Sequence, residues 1–317
     1  PRMGGTCFMP CMIVAALFSV LVYRITKSEQ LTMSLWSFMF LVSIILVYTV
    51  GLIDDIVGVA PRVKFLVQIL AASLMPFSGL YINNLYGFMG IETIPFYIGA
   101  PLTVFVIVFV DNALNLIDGI DGLASGLCAI SLVALAGLHI WLGLYSYALL
   151  CISALGVIIP FWFYNVFGNA LRGRKLFMGD SGSLSLGYII SFLMIHLSTV
   201  DVHPRAVSDY NMVLAFTTML VPLLDVVRVV GHRLRNRQNP FLPDKSHIHH
   251  KLLRCGLRVR QVMVIICVLS LMFILLNFLM IGHVNITYIL GIDIAVWIVF
   301  HLILDVILHT RGTEVEI

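Results

Sequence analysis

Charged side chains are scarce in this sequence. Asp, Glu, Lys and Arg together make up 11% of the 317 residues, whereas hydrophobic residues make up 60% and the mean hydropathy is +1.03. Soluble domains carry about 25% charged residues, which keep their surfaces hydrated. The composition therefore excludes an ordinary soluble protein.

Paired cysteines are lacking as well. Cys7 and Cys11 lie close together, but no second pair matches them elsewhere in the chain. Neither a disulfide framework nor a zinc site is therefore predicted. Most of the cysteines are interpreted as small apolar packing residues.

Long apolar stretches are abundant, and each is long enough to cross a bilayer as a helix. They predict an all-α, polytopic membrane protein with about ten transmembrane helices, forming one integral-membrane domain over residues 1–317. The predicted spans are Phe8–Tyr23, Leu31–Leu52, Val63–Ile82, Ile94–Val110, Leu123–Gly143, Tyr147–Phe167, Leu184–Ser198, Met212–Val230, Val262–Gly282 and Ile286–Leu308.

The basic residues give this arrangement an orientation. With ten spans both termini lie on one side of the membrane. Of the 19 Lys and Arg residues, all except Arg24, Lys27 and Arg205 fall on that side. The positive-inside rule places it in the cytoplasm, so residues 231–261 are predicted to form a cytoplasmic loop.

Aspartates gather at the same predicted face, in loops or at the helix ends beside them. Carboxylates near hydrocarbon are costly and usually mark a functional site. Several around one mouth would repel each other unless a cation neutralised them, which predicts a Mg²⁺ site with Mn²⁺ as a substitute. With basic loops nearby, the site suits phosphoryl transfer to a lipid phosphate. The aspartates are Asp54, Asp55, Asp111, Asp118, Asp121, Asp180 and Asp225.

Each acidic motif has a structural alternative. Asp54 and Asp55 could simply end a helix, although the helix dipole disfavours anions at a C-terminus. In NLIDGID the glycines could only form turns, yet Asn112, Asn115, Asp118 and Asp121 are spaced to share one helical face. MGDSGS could be a turn with a serine cap. Asp225 and Arg228 could be a structural ion pair or catalytic residues.

Three histidines fall within PDKSHIHHKLL, at His247, His249 and His250. A zinc site is one interpretation, but no cysteine or fourth histidine lies close by in the sequence. Contact with a pyrophosphate is favoured instead.

These motifs occur in an order that resembles a known family. GLIDDIVG followed by PRVKFLVQ, DNALNLIDGIDGLASG, LFMGDSGS and PDKSHIHHKLL run across nearly the whole chain, after PRMGG at its start. Together they resemble the polyprenyl-phosphate N-acetylhexosamine-1-phosphate transferases of glycosyltransferase family 4. The HIHH pattern is similar to the bacterial undecaprenyl-phosphate GlcNAc-1-phosphate transferase branch.

The resemblance implies transfer of a sugar-1-phosphate from a UDP-N-acetylhexosamine to undecaprenyl phosphate, with Mg²⁺, in the bacterial cytoplasmic membrane. Asp180 and Asn115 match metal-site residues. Asp54, Asp55 and Asp118 are expected to be catalytic, with one of the paired aspartates acting on the lipid phosphate. The expected substrate-binding residues are Lys64, Asn112, Asp121, Asn165, His247, His249 and His250.

Several points stay open at this stage. The identity of the N-acetylhexosamine and the polymer are not specified, and a one-step route competes with an aspartyl-phosphate intermediate. Relatives imply a further helix before Pro1 and a homodimer. Membrane lipids are expected partners and nucleic acid is not. The rival from another class is a secondary transporter that uses its acids for ion or proton coupling.

Overall fold

The computed structural model describes residues 4–15, 18, 34–199, 209–239 and 246–315. Helices dominate these ranges. They are α1 Gly4–Ala15, α2 Leu35–Val57, α3 Pro61–Phe77, α4 Phe96–Ile117, α5 Leu123–Trp141, α6 Tyr145–Phe167, α7 Gly179–Ser198, α8 Asp209–Thr217, α9 Leu220–Arg235, α10 Ile248–Arg254, α11 Val259–Met280 and α12 Ile286–Val315.

Seven of these helices are long and apolar enough to cross a membrane, namely α2, α4, α5, α6, α7, α11 and α12. The count rises to eight if α8 and α9, which meet at a 68° bend, form one broken span. A polytopic helical membrane protein is thus confirmed, whereas the predicted Met212–Val230 is not one straight helix.

Two of the predicted spans match shorter helices. In place of Val63–Ile82, α3 has 17 residues. Of Phe8–Tyr23, α1 covers only the first half, and the rest of that prediction lies outside the described residues apart from position 18.

A short β-hairpin joins α3 to α4, and the sequence did not predict it. β1 (Asn84–Phe88) pairs with β2 (Ile91–Thr93) in antiparallel register. Tyr86 and Met89 have positive φ angles of 53° and 51°, and Gly87 and Gly90 share the left-handed region. The hairpin therefore turns tightly between two glycines.

The core of the protein is built around α7. Every residue of this helix from Ser181 to Ser198 is buried, and it packs against α1, α2, α4, α5 and α8. Small side chains make such close contact possible, because a helix with serine and glycine on several faces admits neighbouring backbones. The N-terminus of α7 consequently lies where several other helix ends converge.

The closest approach at that end is between α2 and α7. A Cβ atom added at Gly51 would lie 2.7 Å from Cα of Ser181, which is closer than real Cβ atoms come to backbone. A glycine at position 51 therefore brings the last turns of α2 against the first turn of α7.

We predict that Gly51→Ala lowers the free energy of unfolding by roughly 1–3 kcal/mol, because the added methyl group forces two helix backbones apart. Gly156→Ala on α6 is the matched control, since nothing lies within 4 Å of a Cβ at that position. Alanine favours helix over glycine by about 1 kcal/mol, so the control should be neutral or stabilising. Denaturant unfolding in detergent measures both, and equal losses would contradict the packing argument.

Candidate active site

The site forms where the C-terminal ends of α2 and α4 meet the start of α3 and the N-terminus of α7. Asp55, in the last turn of α2, is bound to α7. Its carboxylate accepts hydrogen bonds from the backbone N–H of Asp180 (2.8 Å), the backbone N–H of Ser181 (3.0 Å) and the Ser181 hydroxyl (2.6 Å). Asp55 thus satisfies N–H groups that have no partner within α7, and its charge suits the positive end of the helix dipole.

Asp54 has different partners from its neighbour. One carboxylate oxygen accepts the backbone N–H of Val59 at 2.7 Å, and the other lies 3.1 Å from Nζ of Lys64. The Lys64 ammonium also lies 2.6 Å from Asp180. Lys64 therefore bridges two carboxylates from two helices, and it balances charges that would otherwise repel.

The two asparagines of α4 also have separate roles. Asn115 donates to Asp180 Oδ1 at 3.2 Å and to the Ser183 hydroxyl at 2.9 Å. Asn112 donates to the Gln68 side chain at 2.7 Å and so ties α4 to α3. The structure brings Asn115 into the acidic cluster but commits Asn112 to a contact between helices.

Asp118 and Asp121 lie beyond α4, which ends at Ile117. The expectation that they share a helical face with Asn112 and Asn115 is therefore wrong. The chain leaves the helix before Asp118 and turns, and Gly122 at the end of this turn has φ +79°. The turn-forming interpretation of the glycines holds at Gly122.

The 118–122 turn is held by two other segments. Asn165 at the end of α6 accepts the backbone N–H of Gly122 and donates to the carbonyl of Leu176 at 2.7 Å. Asp121 pairs with Lys175 at 2.5 Å. The side chain of Asn165, a predicted substrate-binding residue, therefore holds this turn in place by binding the backbone of Gly122.

Asp118 lies outside the membrane-spanning helices, just past the end of α4. Burial raises its pKa to about 7, and the negative charges of Asp180 and Asp121 add to the effect. At neutral pH both the acid and the anion form of its carboxyl group are therefore populated.

The histidine segment lies against this turn. His249 is buried, and its ring contacts Gly119 so closely that a Cβ atom there would overlap Nε2. Burial and the neighbouring His250 and His247 lower the pKa of His249 to about 4. Its ring is neutral at physiological pH. It lies parallel to the ring of His247 at a centroid distance of 6.0 Å and is tilted by 43° against the ring of His250 at 4.2 Å.

His247 is held in place by a contact with α9. Its Nδ1 lies 2.9 Å from Oδ2 of Asp225, whose Oδ1 lies 2.8 Å from Arg228 and 3.1 Å from the backbone N–H of Ile248. The predicted Asp225–Arg228 ion pair exists, and it also holds the start of α10. The sequence contained the i,i+3 pair, but nothing in it connected Asp225 to the histidines.

The acidic cluster offers few protein ligands to a divalent cation. Among the described residues, no group of three or more His, Cys, Asp or Glu side chains is placed to hold a metal ion. Mg²⁺ commonly takes only one or two protein carboxylates and completes its shell with water and substrate phosphates. Asp180 is the candidate ligand, and a metal ion would displace the Lys64 ammonium and the Asn115 amide nitrogen that now lie on its oxygens.

Some residues of the site could not be predicted from the sequence. Lys175 lies in a basic segment that gave no indication of its partner. The roles of Ser181 and Ser183 were hidden by the interpretation of MGDSGS as a turn and cap. No motif in the sequence indicated a role for Gln68.

Comparison with known proteins places the chain among related sequences. The sequence profile of glycosyl transferase family 4 matches residues 35–198, just over half of the chain. An undecaprenyl-phosphate alpha-N-acetylglucosaminyl 1-phosphate transferase of Yersinia pestis is 34% identical over 219 residues, covering 68% of this chain and 58% of the relative. A probable undecaprenyl-phosphate N-acetylglucosaminyl 1-phosphate transferase of Bacillus subtilis is 32% identical over 281 residues, covering 86% and 71%.

Both the profile and these relatives identify the class of protein. The chain belongs to glycosyl transferase family 4. It spans 58% of the length of several of the curated relatives it matches, including the Escherichia coli K12 protein, which is 33% identical over 220 residues and 68% of this chain.

We predict that the ionisation of Asp118 lowers the stability of the metal-free protein as pH rises from 5 to 8. The pKa of Asp118 is higher in the folded state than the value of about 4 expected when unfolded, so the folded state binds this proton more tightly. Its contribution is greatest at low pH and is lost as pH rises towards 7. Asp118→Asn removes this contribution, so its unfolding free energy at pH 8, relative to pH 5, should be higher than that of the wild type by on the order of 1 kcal/mol.

Denaturant unfolding in detergent at the two pH values measures this difference. Glu92→Gln in β2 is the control, because it makes the same carboxyl-to-amide change at an exposed strand. Identical pH slopes for the wild type and Asp118→Asn would contradict the assignment.

Proposed function

We propose that this protein transfers N-acetylglucosamine 1-phosphate, or a related N-acetylhexosamine 1-phosphate, from a UDP-sugar to undecaprenyl phosphate and releases UMP. The observation that carries the proposal is the Asp54–Lys64–Asp180 cluster at the N-terminus of α7, within the matched family region. The names of the relatives support this transferred group and this acceptor, and the family supports a nucleotide-sugar donor.

The arrangement of charges suits a diphosphate donor and a phosphate acceptor. Asp180, with Asn115 beside it, would hold Mg²⁺ or Mn²⁺; the Asn115 amide first has to rotate, because its nitrogen faces Asp180. The metal, when bound, would offset negative charge on the transferring phosphoryl group. The Lys64 ammonium, which contacts the Asp180 carboxylate, would release it and bind a phosphate oxygen instead.

The chemical step is proposed as a direct in-line attack. An oxygen of the lipid phosphate attacks the β-phosphorus of the UDP-sugar, the bond from that phosphorus to the bridging oxygen breaks, and UMP leaves. Asp54 and Lys64 would hold the acceptor phosphate. We assign Asp55 to fixing α7 rather than to catalysis, because both of its oxygens accept hydrogen bonds from that helix.

The other predicted residues would bind the donor. Asp118 and Asp121 line the turn beneath the histidines, and His247, His249 and His250 would contact the donor's phosphates and sugar. This assignment uses the contact between His249 and Gly119, which brings α10 to the acidic turn.

An apolar groove supports a lipid acceptor. It lies between α3 and α4, has a volume of about 450 Å³, and begins at Phe65, the residue next to Lys64. A prenyl chain in this groove would have its phosphate beside Lys64. The groove is lined by Phe65, Ile69, Phe77, Ala100, Val104 and Val108, among others.

Finer aspects of the assignment are proposals as well. The chain is proposed to have about ten spans, to lie in the bacterial cytoplasmic membrane, to present the site to the cytoplasm and to pair as a homodimer. The product would begin a cell-envelope polysaccharide such as O-antigen or teichoic acid.

We expect the purified protein to release UMP from UDP-N-acetylglucosamine when undecaprenyl phosphate and Mg²⁺ are both present. Asp180→Asn should lower kcat by about 10²-fold or more, because the variant loses the carboxylate that would hold the metal ion and, with it, the ion's stabilisation of the transferring phosphoryl group. Glu92→Gln, on the hairpin between α3 and α4, should leave kcat at the wild-type value.

The omissions are as informative as the variants. UMP released without the lipid would favour an aspartyl-phosphate intermediate over the direct step. A protein that binds no UDP-sugar and yet moves ions across vesicle membranes would favour the transporter alternative.

The groove gives a separate prediction. Val104→Trp should raise the KM for undecaprenyl phosphate about tenfold, equivalent to about 1.4 kcal/mol of binding free energy, because the indole occupies the groove. The KM for the UDP-sugar should stay within about twofold, since a smaller effect is expected where no contact changes. Val133→Trp is the matched control, because Val133 is 61% exposed on α5 and outside the groove. Equal effects of the two tryptophans on the lipid KM would contradict the groove assignment.

A further inference from the structure

A second groove lies between α6 and α11, on a different face from the groove between α3 and α4. α5 packs against both of these helices, and its small residues Gly126 and Ala129 line the groove between them. Hydrophobic side chains such as Ile159 on α6 and Val268 on α11 line the rest. The groove has a volume of about 440 Å³.

The length of this groove matches one leaflet of a bilayer. On α11 its lining runs from Met263 to Leu271, a rise of about 12 Å along the helix. Half of the hydrocarbon core of a bilayer is about 15 Å thick. The groove can therefore hold the hydrocarbon chain of a lipid in one leaflet.

An arginine lies at one end of the groove. Arg260 precedes Val264 by one turn of α11 and therefore shares its face of the helix. A terminal guanidinium nitrogen of Arg260 lies 3.3 Å from the carbonyl oxygen of Val166 in α6, and Cζ lies 5.0 Å from the centroid of the Phe167 ring. Arg260 thus reaches from α11 to the end of α6 and places a positive charge where the groove ends.

Two more arginines lie near this end. Arg172 and Arg174 are exposed in the segment that follows α6. This segment folds back on the helix end, because a Cβ atom added at Gly168 would overlap the carbonyl oxygen of Arg174. Within the described ranges, no carboxylate forms an ion pair with Arg172, Arg174 or Arg260.

This combination specifies the chemistry of a ligand. A guanidinium group binds phosphate oxygens through charge-assisted hydrogen bonds, and basic clusters beside membrane helices attract anionic head groups. The hydrophobic lining requires a hydrocarbon chain attached to that head group. An anionic membrane lipid meets both requirements.

We propose that the groove between α6 and α11 is a binding site for an anionic diacyl phospholipid, with one acyl chain in the groove and the phosphate at Arg260. The lipid is separate from the proposed acceptor, whose groove begins at Phe65 beside Lys64. This inference does not rest on the transferase function, so a protein that releases no UMP leaves it intact.

The bound lipid would contact a side chain that holds the acidic turn. Trp162 lines the groove, and its Nε1 donates a hydrogen bond to the carbonyl of Gly122 at 3.2 Å. Gly122 ends the turn that carries Asp118 and Asp121. A filled groove therefore packs directly against the support of this turn.

A second copy of the chain is the alternative occupant. In a twofold symmetric dimer the same face meets itself, so the arginines of both copies would lie at the same depth in the membrane. Their like charges would repel each other across the interface. An anionic lipid neutralises these charges instead.

Native mass spectrometry of the purified protein in detergent counts the lipids bound as dioleoylphosphatidylglycerol or dioleoylphosphatidylcholine is added. We expect the first phosphatidylglycerol to bind at least about fivefold more tightly than phosphatidylcholine, the gain expected from one basic residue beside an anionic head group. Equal affinities for the two lipids would overturn the proposal.

Arg260→Gln should remove most of this preference for phosphatidylglycerol. Arg235→Gln is the matched control, because it removes the same charge from an exposed arginine at the end of α9. Equal losses in the two variants would mean that overall charge alone attracts the lipid, and would overturn the proposal. If Arg260→Gln does not fold, the exposed pair Arg172→Gln and Arg174→Gln should lower the preference, and an unchanged preference has the same meaning.

Val268→Trp tests the groove itself. The indole should weaken the binding of both lipids about tenfold, because it occupies the space of the acyl chain. Val299→Trp on α12 is the matched control, since Val299 is 55% exposed, Val268 is 57% exposed, and only Val268 lines the groove. Equal effects of the two tryptophans would place the lipid elsewhere and overturn the proposal.

Competition with undecaprenyl phosphate separates the two lipid grooves. Phosphatidylglycerol that stays bound at saturating undecaprenyl phosphate supports a separate phospholipid site. Displacement of phosphatidylglycerol would overturn the proposal and make this groove a second site for the prenyl lipid. A two-copy assembly that excludes phosphatidylglycerol and separates in Val268→Trp would also overturn it and assign this face to a second copy.

Discussion

The contact between Asp55 and the first turn of α7 fixes the geometry on which the rest of the site depends. The N-terminus of a helix exposes N–H groups without partners, and water usually satisfies them at a surface. The first turn of α7 is packed against α1 and α2 instead. A carboxylate from α2 therefore satisfies these groups, and Asp180, in the same turn, acquires a fixed position beside Lys64 and Asn115.

This contact separates two aspartates that are adjacent in the sequence. Asp55 is directed at α7, while Asp54 is directed at the start of α3. In the last turn of a helix, successive side chains lie about 100° apart, so neighbouring acids reach different structures. One of them can stabilise the fold while the other remains near the acceptor.

Three acids of the site are paired with a lysine from another segment. Lys64 contacts Asp54 and Asp180, and Lys175 contacts Asp121. A phosphate ligand would compete for the ammonium groups, and a divalent cation would compete for the carboxylates.

Much of the fold could be predicted from the sequence, because apolar length determines where a membrane helix is possible. The predicted Tyr147–Phe167 span differs from α6 only by two residues at its start. The hairpin could not be predicted, since its strands are short and β1 is half-buried throughout without alternation. Its form depends on Tyr86 and Met89 adopting positive φ, which residue type does not indicate.

For the site, the sequence indicated the acids and histidines but not their partners. The grouping of aspartates follows from topology, since alternate loops share one face of the membrane. The pairing of Asp121 with Lys175, or of Asp225 with His247, joins residues far apart in the chain. Such contacts are decided by how the helices pack, and no local pattern records them.

The break between α8 and α9 shows how packing of the membrane core reaches the histidines. A straight span would carry Asp225 along the axis of α8, but the 68° bend turns α9 aside to meet the start of α10. Backbone groups freed at a break need partners within the membrane. The backbone carbonyl of Thr218 accepts a hydrogen bond from the Ser131 hydroxyl at 2.8 Å, and the Thr217 side-chain hydroxyl beside it accepts one from the Asn277 amide at 2.7 Å. Because α5 and α11 supply these partners, the bend is maintained by the core, and the orientation of His247 depends on contacts deep within the helical bundle.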